Sequence, residues 1–234
     1  LLAAAARAHR IAPLEGFGEK SEEDILAAIE TYKKGAIKEN RMELPIADSI
    51  AQEVIDYVKK FGPSVVERID VLGSLRRQVA TIGDIDIAVA TKKSEAVVDH
   101  FVTYPHVKLI EKGPTGASLL LHNGRQVDLR VVEPASYGAM LQYFTGSKNH
   151  NIRLRSFALE KRKSLSEYGI KDVKSGKTRR FATEESFYTS LGLPWIPPEL
   201  REDRGEIEAA LRSAQGKPNG LPEFVTLDDI KGDL

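Results

Sequence analysis

The stretch VLGSLRRQVATIGDIDIAVA, residues 71–90, sets a Gly-Ser pair before two arginines and ends in an apolar run that holds two aspartates one residue apart. DIDIAVA (84–90) has the composition and period of a strand, and residues two apart on a strand project to the same face. Asp84 and Asp86 therefore stand side by side, with a mutual repulsion that a cation between them offsets. A third acid, Asp128, lies between Val127 and Leu129 in GASLLLHNGRQVDLRVV (116–132), another strand pattern. Three carboxylates from two neighbouring strands form an all-oxygen set, the kind that holds Mg2+ or Mn2+ rather than zinc. A single aspartate of this kind is more simply a strand-end or edge residue paired with arginine; the set of three is not accounted for in that way.

Upstream, ERIDVLG (67–73) is a further strand pattern that ends at Gly73-Ser74. A strand ending in Gly-Ser and turning into a short helix aims backbone N–H groups and a hydroxyl at an anion, with Arg76 and Arg77 near enough to neutralise it. PIADSIAQEVIDYVKKF (45–61) carries Ile46, Ile50, Val54, Tyr57, Val58 and Phe61 at helical spacing and predicts a helix packed on the sheet. His122-Asn123-Gly124 is a turn, so 116–132 is a β-hairpin. From about Pro134 the chain reads as helix, SYGAMLQYFTGSKNHNIRLRSFALEKRKSL, followed by a Gly/Lys-rich hairpin and LGLPWIPPEL (191–200), in which Trp195 is most simply the buried anchor of a structured turn, with stacking on a nucleobase as the alternative. Lys148, Asn151, Arg155 and Arg162 fall within about 60° of one another on a helical wheel, a polar stripe that suits a base pair or water alike.

At the N-terminal end, SEEDILAAIETYKK (21–34) predicts a helix capped by Ser21, with Ile25, Leu26, Ile29 and Tyr32 on one face. Gly16 and Gly18 in the preceding LEGFGEK form a turn whose free N–H groups suit a DNA phosphate, as in helix-hairpin-helix modules. An ordinary glycine turn with a cap accounts for the same residues, because Glu15 and Glu19 would crowd the phosphate.

With 234 residues, 41% of them hydrophobic, the chain has material for a packed core and more than one module. No apolar run approaches the roughly 18 residues that span a bilayer, and LLAAAARAHR is too short for a signal peptide's apolar region, so no membrane partner is expected. Position 1 is Leu rather than Met, and a true N-terminus upstream is expected. The absence of cysteine excludes disulfides and thiolate metal sites and fits a reducing, cytoplasmic setting. The net charge of zero conceals a division: residues 125–180 hold 13 Lys or Arg against 5 Asp or Glu, a balance of +8, and residues 181–234 hold 5 against 11, a balance of −6. Local potential, not the total, steers a polyanion. A solvated charged surface fits the same numbers.

GSLRRQVATIGDID, followed by VDLRVV and YFTGSKNHNIRLR, closely resembles the X-family DNA polymerases, the group that includes polymerase β, and most of all their bacterial PolX branch. The resemblance runs from about residue 14 to the end. It implies an α+β fold: partial helical fingers (1–43), a nucleotidyltransferase-type palm sheet flanked by helices and bearing the carboxylates (44–133), and a helix-rich thumb (134–234). It implies Asp84, Asp86 and Asp128 as catalytic ligands of two ions, Mg2+ or Mn2+. Gly73, Ser74, Arg77 and Gly83 then correspond to triphosphate contacts, and Tyr143, Phe144 and Gly146 to the segment along the incoming sugar. Asn151 corresponds to a residue at the minor-groove edge of the incoming base, Arg155 to a template contact, and Lys148, Arg162, Gly16 and Gly18 complete the expected DNA surface. Lys148 stands where some members carry an acid, and Gln126 replaces a basic residue found in polymerase β.

The implied activity is template-directed addition of dNTPs to a primer 3′-hydroxyl in short gaps, in DNA repair, by a monomer in the bacterial cytosol. No lyase activity is expected, because the lyase-type module and most of the fingers are absent from these residues. LDDIKGDL resembles the linker that in bacterial relatives runs into a PHP-type phosphoesterase domain. Two rivals remain at this stage: a template-independent nucleotidyltransferase on the same palm, and a DNA-binding polymerase fragment inactive without its missing modules.

Overall fold

Ile85, Ile87 and Val89 alternate with Asp86, Ala88 and Ala90, so the strand they form has one wholly apolar face and one that begins in an acid and continues in small residues. That strand belongs to the five-stranded sheet of the structure, a computed structural model that describes residues 2–14, 17–33 and 41–223. The chain divides into two compact units, Leu1–Met42 and Glu43–Leu234. The first contains α1 (Leu2–Arg7) and α2 (Glu19–Lys33). Since α2 starts at Glu19, Ser21 lies inside its first turn and is not the predicted cap. Glu22 is buried instead, accepting hydrogen bonds from Ile11 N and His9 Nδ1, both at 3.1 Å.

In the second unit α3 (Leu44–Lys59) precedes β1 (Arg68–Val71), the short α4 (Gly73–Arg76), β2 (Ile85–Ala90), α5 (Ser94–Phe101), β3 (Lys108–Gly113), β4 (Gly116–Leu120) and β5 (Gln126–Val132). The strands form one sheet of order β1-β2-β5-β4-β3. β2 and β5 run parallel, and the other neighbours are antiparallel. The predicted hairpin is β4–β5, and Gly124 takes the positive φ, 76°, that its turn requires. β3 has no counterpart among the predicted strands: as an exposed edge strand it lacks the alternation that marks a half-buried one.

α3 lies where it was predicted, but its buried face is Ala47, Ala51, Val54, Ile55 and Val58. Ile46 is 52% exposed and Phe61 37%. Alanines let the helix approach the sheet closely, and the larger residues are left at its margins. Tyr57 and Phe61 there stack on the two sides of His100, with ring centroids 4.6 and 4.8 Å away.

The single long helix predicted after Pro134 is two helices, α6 (Tyr137–Thr145) and α7 (Lys148–Glu160). Gly146, at φ 69°, breaks the run, and Ser147 caps α7 by accepting from His150 N. The Gly/Lys-rich segment is a three-stranded antiparallel sheet of β6 (Lys163–Ser166), β7 (Gly169–Asp172) and β8 (Thr178–Arg179), followed by α8 (Glu184–Ser190) and α9 (Glu206–Ala214). Leu154 and Ala158 of α7 meet Phe187 and Tyr188 of α8 and Ile207 and Ala210 of α9 in one core. A second cluster, Leu72, Ala88, Ala90 and Val132 with Tyr137, Met140 and Leu141, seats α6 on the sheet. Among the described residues no helix is long and apolar enough to cross a membrane.

Candidate active site

The parallel pairing of β2 and β5 puts Asp86 directly opposite Asp128. Cross-strand partners point to the same face, so the two carboxylates share the face whose far end α6 covers. Asp84 stands two residues before Asp86, just ahead of β2. Burial, then the charges of Asp128 and Asp84, push the Asp86 carboxyl up to about 6; Arg130 and Arg77 act in the opposite sense. The Gln126 amide donates to both Asp128 oxygens, at 3.0 and 3.2 Å, taking up the position from which a basic side chain would act. Among the described residues no three His, Cys, Asp or Glu side chains are gathered closely enough to hold an ion as they stand. The chemistry of the donors does fit a hard divalent cation: the ligands are all oxygen, and the negative charge on Asp86 is disfavoured until a cation balances it.

The Gly-Ser turn is built against these acids. Leu72 N donates to Asp86 O at 2.7 Å, and Gly73 has φ 57°. A Cβ on Gly73 would fall 2.5 Å from Asp86 Oδ2, so glycine is required both by the backbone and by the carboxylate beside it. Ser74 is half-buried in α4, and Gly83 lies immediately before Asp84.

Arg76 and Arg77 both reach Thr145, the residue before the helix break. Arg76 Nη1 donates to Thr145 Oγ1 at 2.7 Å and Nη2 to Glu184 Oε2 at 2.6 Å. Arg77 Nη1 donates to Thr145 O at 2.5 Å and Nε to Glu202 Oε1 at 2.6 Å. Glu184 is shared further: Arg201, fully buried, donates to its Oε1 at 2.7 Å, and Trp195 Nε1 to its Oε2 at 3.2 Å. Burial pushes the Glu184 carboxyl up, but Arg201 and Arg76 outweigh it and hold the group at about 2. Trp195 is thereby an anchor, half-buried rather than fully buried as its sequence context suggested.

Tyr143 and Phe144 meet edge to face, with centroids 5.0 Å apart. Arg130, two residues beyond Asp128, lies over the Phe144 ring, and Arg155 lies over Tyr143. A chain of cation–π and aromatic contacts therefore runs from β5 to α7. Gly146 fits the same corner: a Cβ there would be 3.2 Å from Arg77 Nη1. Asn151 is buried, its Nδ2 donating to Tyr143 O at 2.6 Å and its Oδ1 accepting from Gln142 at 2.8 Å. Lys148 and Arg155 are exposed on α7.

The predicted stripe does not extend to Arg162. α7 ends at Glu160, and Arg162 has φ 56° and leads into β6, so it leaves the helical face. Gly16 lies outside the described residues. Gly18 accepts from Glu22 N, and a Cβ on it would meet nothing within 4 Å.

Several residues of this region carried no signal that sequence reasoning used. Glu184, Arg201 and Glu202 lie in a segment read only as acidic. His150 was read as part of a helix; it is fully buried, bonded through Nδ1 to Glu206 at 2.6 Å and through Nε2 to Tyr188 OH at 3.0 Å. Burial holds the His150 ring below its ordinary pKa, so the neutral imidazole donates to Glu206 and accepts from Tyr188.

With this geometry in place, the comparisons with known proteins are specific. The DNA polymerase beta thumb family model matches residues 140–202. The chain is 36% identical over 228 residues, 96% of its length, to the DNA polymerase/3'-5' exonuclease PolX of Bacillus subtilis (strain 168). It spans 38% of the length of that relative. The fold is similar to the crystal structure of Leishmania infantum polymerase beta in a ternary P/T complex, with a TM-score of 0.65 at 18% identity, covering 86% of this chain and 100% of that one.

Proposed function

We propose that the chain, similar to a PolX of the X-family DNA polymerases along 96% of its own length and to the polymerase beta thumb model over residues 140–202, is a template-directed DNA polymerase that adds dNTPs to a primer 3′-hydroxyl in short gaps. The observation that carries this reading is the in-register pair Asp86 and Asp128 on adjacent parallel strands, with the Asp86 carboxyl pushed up to about 6 by burial and neighbouring acids. Asp84, Asp86 and Asp128 would hold two divalent ions, Mg2+ or Mn2+. When bound, such ions supply Lewis acidity at the primer oxygen and balance charge on the phosphates.

The remaining work belongs to side chains that bind and orient. Asp128 lies on the strand next to Asp86, its two oxygens fixed by the Gln126 amide, and is the acid assigned to the primer hydroxyl. Arg77, with the turn at Gly73-Ser74, is assigned to the triphosphate, where a planar guanidinium gives directed hydrogen bonds as well as charge. Tyr143 and Phe144 are assigned to the sugar; their rings are held edge to face and capped by Arg155 and Arg130, so they form a stiff wall. In the transfer, the primer 3′-hydroxyl gives up its proton, with Asp128 the assigned acceptor, its oxygen forms a bond to the α-phosphorus, the bond to the bridging oxygen breaks, and pyrophosphate leaves.

The test is extension of a labelled primer in a one-nucleotide gap, each dNTP offered singly with Mg2+ or Mn2+, beside Asp128→Ala. Addition directed by the template and lost in the variant is the expected result. Addition without regard to template would reassign the chain as a terminal transferase, and full activity in Asp128→Ala would remove the carboxylate assignment.

A further inference from the structure

Arg77 is not held ready for an anion; it already has one. Its Nε donates to Glu202 Oε1 at 2.6 Å and its Nη1 to Thr145 O at 2.5 Å, and the side chain is 13% exposed. Its charge also reaches Asp86, so the guanidinium stands at the margin of the carboxylate site. Glu202 comes from a segment that is otherwise fixed on both sides. Arg201 is pinned to Glu184 and Ile196 O, and its own carbonyl accepts from Ser147 N at 3.0 Å. Asp203 N and Arg204 N both donate to Glu206. The backbone that carries Glu202 therefore needs no help from Arg77, and the Glu202 side chain is 33% exposed. A carboxylate placed on a phosphate-binding arginine without a structural need for it has the character of a competitor.

We propose that Glu202 is a positioning residue that occupies Arg77 in place of the nucleotide phosphates, so that a dNTP binds by displacing it. This rests on the assignment of Arg77 to the triphosphate. The exchange favours the nucleotide, because a triphosphate brings several negative charges and more acceptor oxygens to the same guanidinium than one carboxylate does. Glu202, one-third exposed, loses little on release. Two consequences follow from the geometry. The apparent nucleotide affinity includes the work of displacing Glu202. Arg77 also stays aligned through Thr145 O when the site is empty.

The experiment measures the affinity of dATP, with Mg2+, for the protein bound to a one-nucleotide gapped duplex with dT as the templating base and a 3′-dideoxy primer, so that no chemistry intervenes. Glu202→Gln keeps the shape and removes the charge. Its Kd is expected to fall by about two- to fivefold, the scale of one partly exposed ion pair, with KM falling in parallel and kcat unchanged in extension assays. Arg77→Ala should weaken binding at least roughly tenfold, and the double variant should match Arg77→Ala alone, since Glu202 acts only through the arginine. Glu202→Ala is the second variant, expected to tighten binding as Glu202→Gln does. If Arg77→Ala weakens binding while both Glu202 variants bind dATP as the wild type or more weakly, the competition is overturned and Glu202 is structural. If Arg77→Ala leaves Kd unchanged, the assignment of Arg77 fails, and the inference with it.

Discussion

Asp86 shows what a functional position costs the fold. Its carboxyl is pushed up to about 6 by burial and by Asp128 and Asp84, so at neutral pH the native state carries a charge it disfavours. Asp86→Asn should therefore raise the melting temperature of the metal-free chain at pH 7.5, by the equivalent of roughly 1–3 kcal/mol, while primer extension is lost. Calorimetry in the presence of a chelator checks the first half, and a variant no more stable than the wild type would mean that the repulsion is relieved elsewhere. The acids themselves were legible in the sequence, because a period of two forces Asp84 and Asp86 to one face whatever the rest of the chain does. Asn151 was legible as a polar position of the stripe and, through the resemblance, as a base-edge residue, but not as a buried one. Its bonds to Tyr143 O and Gln142 depend on the turn at Gly146, which brings the end of one helix against the start of the next.

At the scale of elements, α8 is held to the short helix α4 beside the main sheet by one carboxylate. The Glu184 carboxyl sits at about 2 against an ordinary 4.5, so its ionised form stabilises the fold above about pH 4.5, and that contribution is lost as pH falls from there towards 2. Glu184→Gln leaves Arg201 buried without its counter-ion and should cost roughly 3–5 kcal/mol near neutrality. The difference between wild type and variant should then narrow as pH falls from 4.5 to 2; urea titrations across that range measure it, and a gap that stays constant would show that Glu184 is not the titrating group. The seating of α6 on α8 makes a second demand. A Cβ on Gly138 would lie 2.1 Å from the Thr183 carbonyl carbon, a backbone atom that cannot turn aside. Gly138→Ala should destabilise the chain by about 1–3 kcal/mol and lower kcat, because Thr183 and the adjoining Glu184 must move away from Arg76. Gly18→Ala, where the added methyl meets nothing within 4 Å, is the control for crowding and should cost no more than about 1 kcal/mol, the scale of replacing glycine at a helix N-cap.

For the whole molecule, the net charge of zero is resolved by where the charges go. Glu184 and Glu206 are buried, and Glu202 and Glu208 are paired with Arg77 and Arg153, so four of the eleven acids in 181–234 are buried or balanced by a basic partner. Lys148 and Arg155 remain exposed on α7. Binding to a primer-template duplex should accordingly weaken as salt rises, and Lys148→Ala and Arg155→Ala should each lower the slope of log K against log salt by about 1. Fluorescence anisotropy at several salt concentrations measures this, and slopes equal to the wild type's would turn that face of α7 towards solvent. By itself the sequence determined four of the five strands of the main sheet, the helix that packs on them, the hairpin and the three acids, because hydrophobic period and turn residues act over a few positions at a time; the exposed edge strand β3 carried no such period. Only the tertiary structure decided that the long helix breaks at Gly146, that α3 buries its alanines, and that Arg76 and Arg77 close on Glu184 and Glu202, partners 108 and 125 residues away. Those outcomes depend on which surfaces come into contact when the sheet, α6 and the thumb core pack together, and no local pattern carries that information.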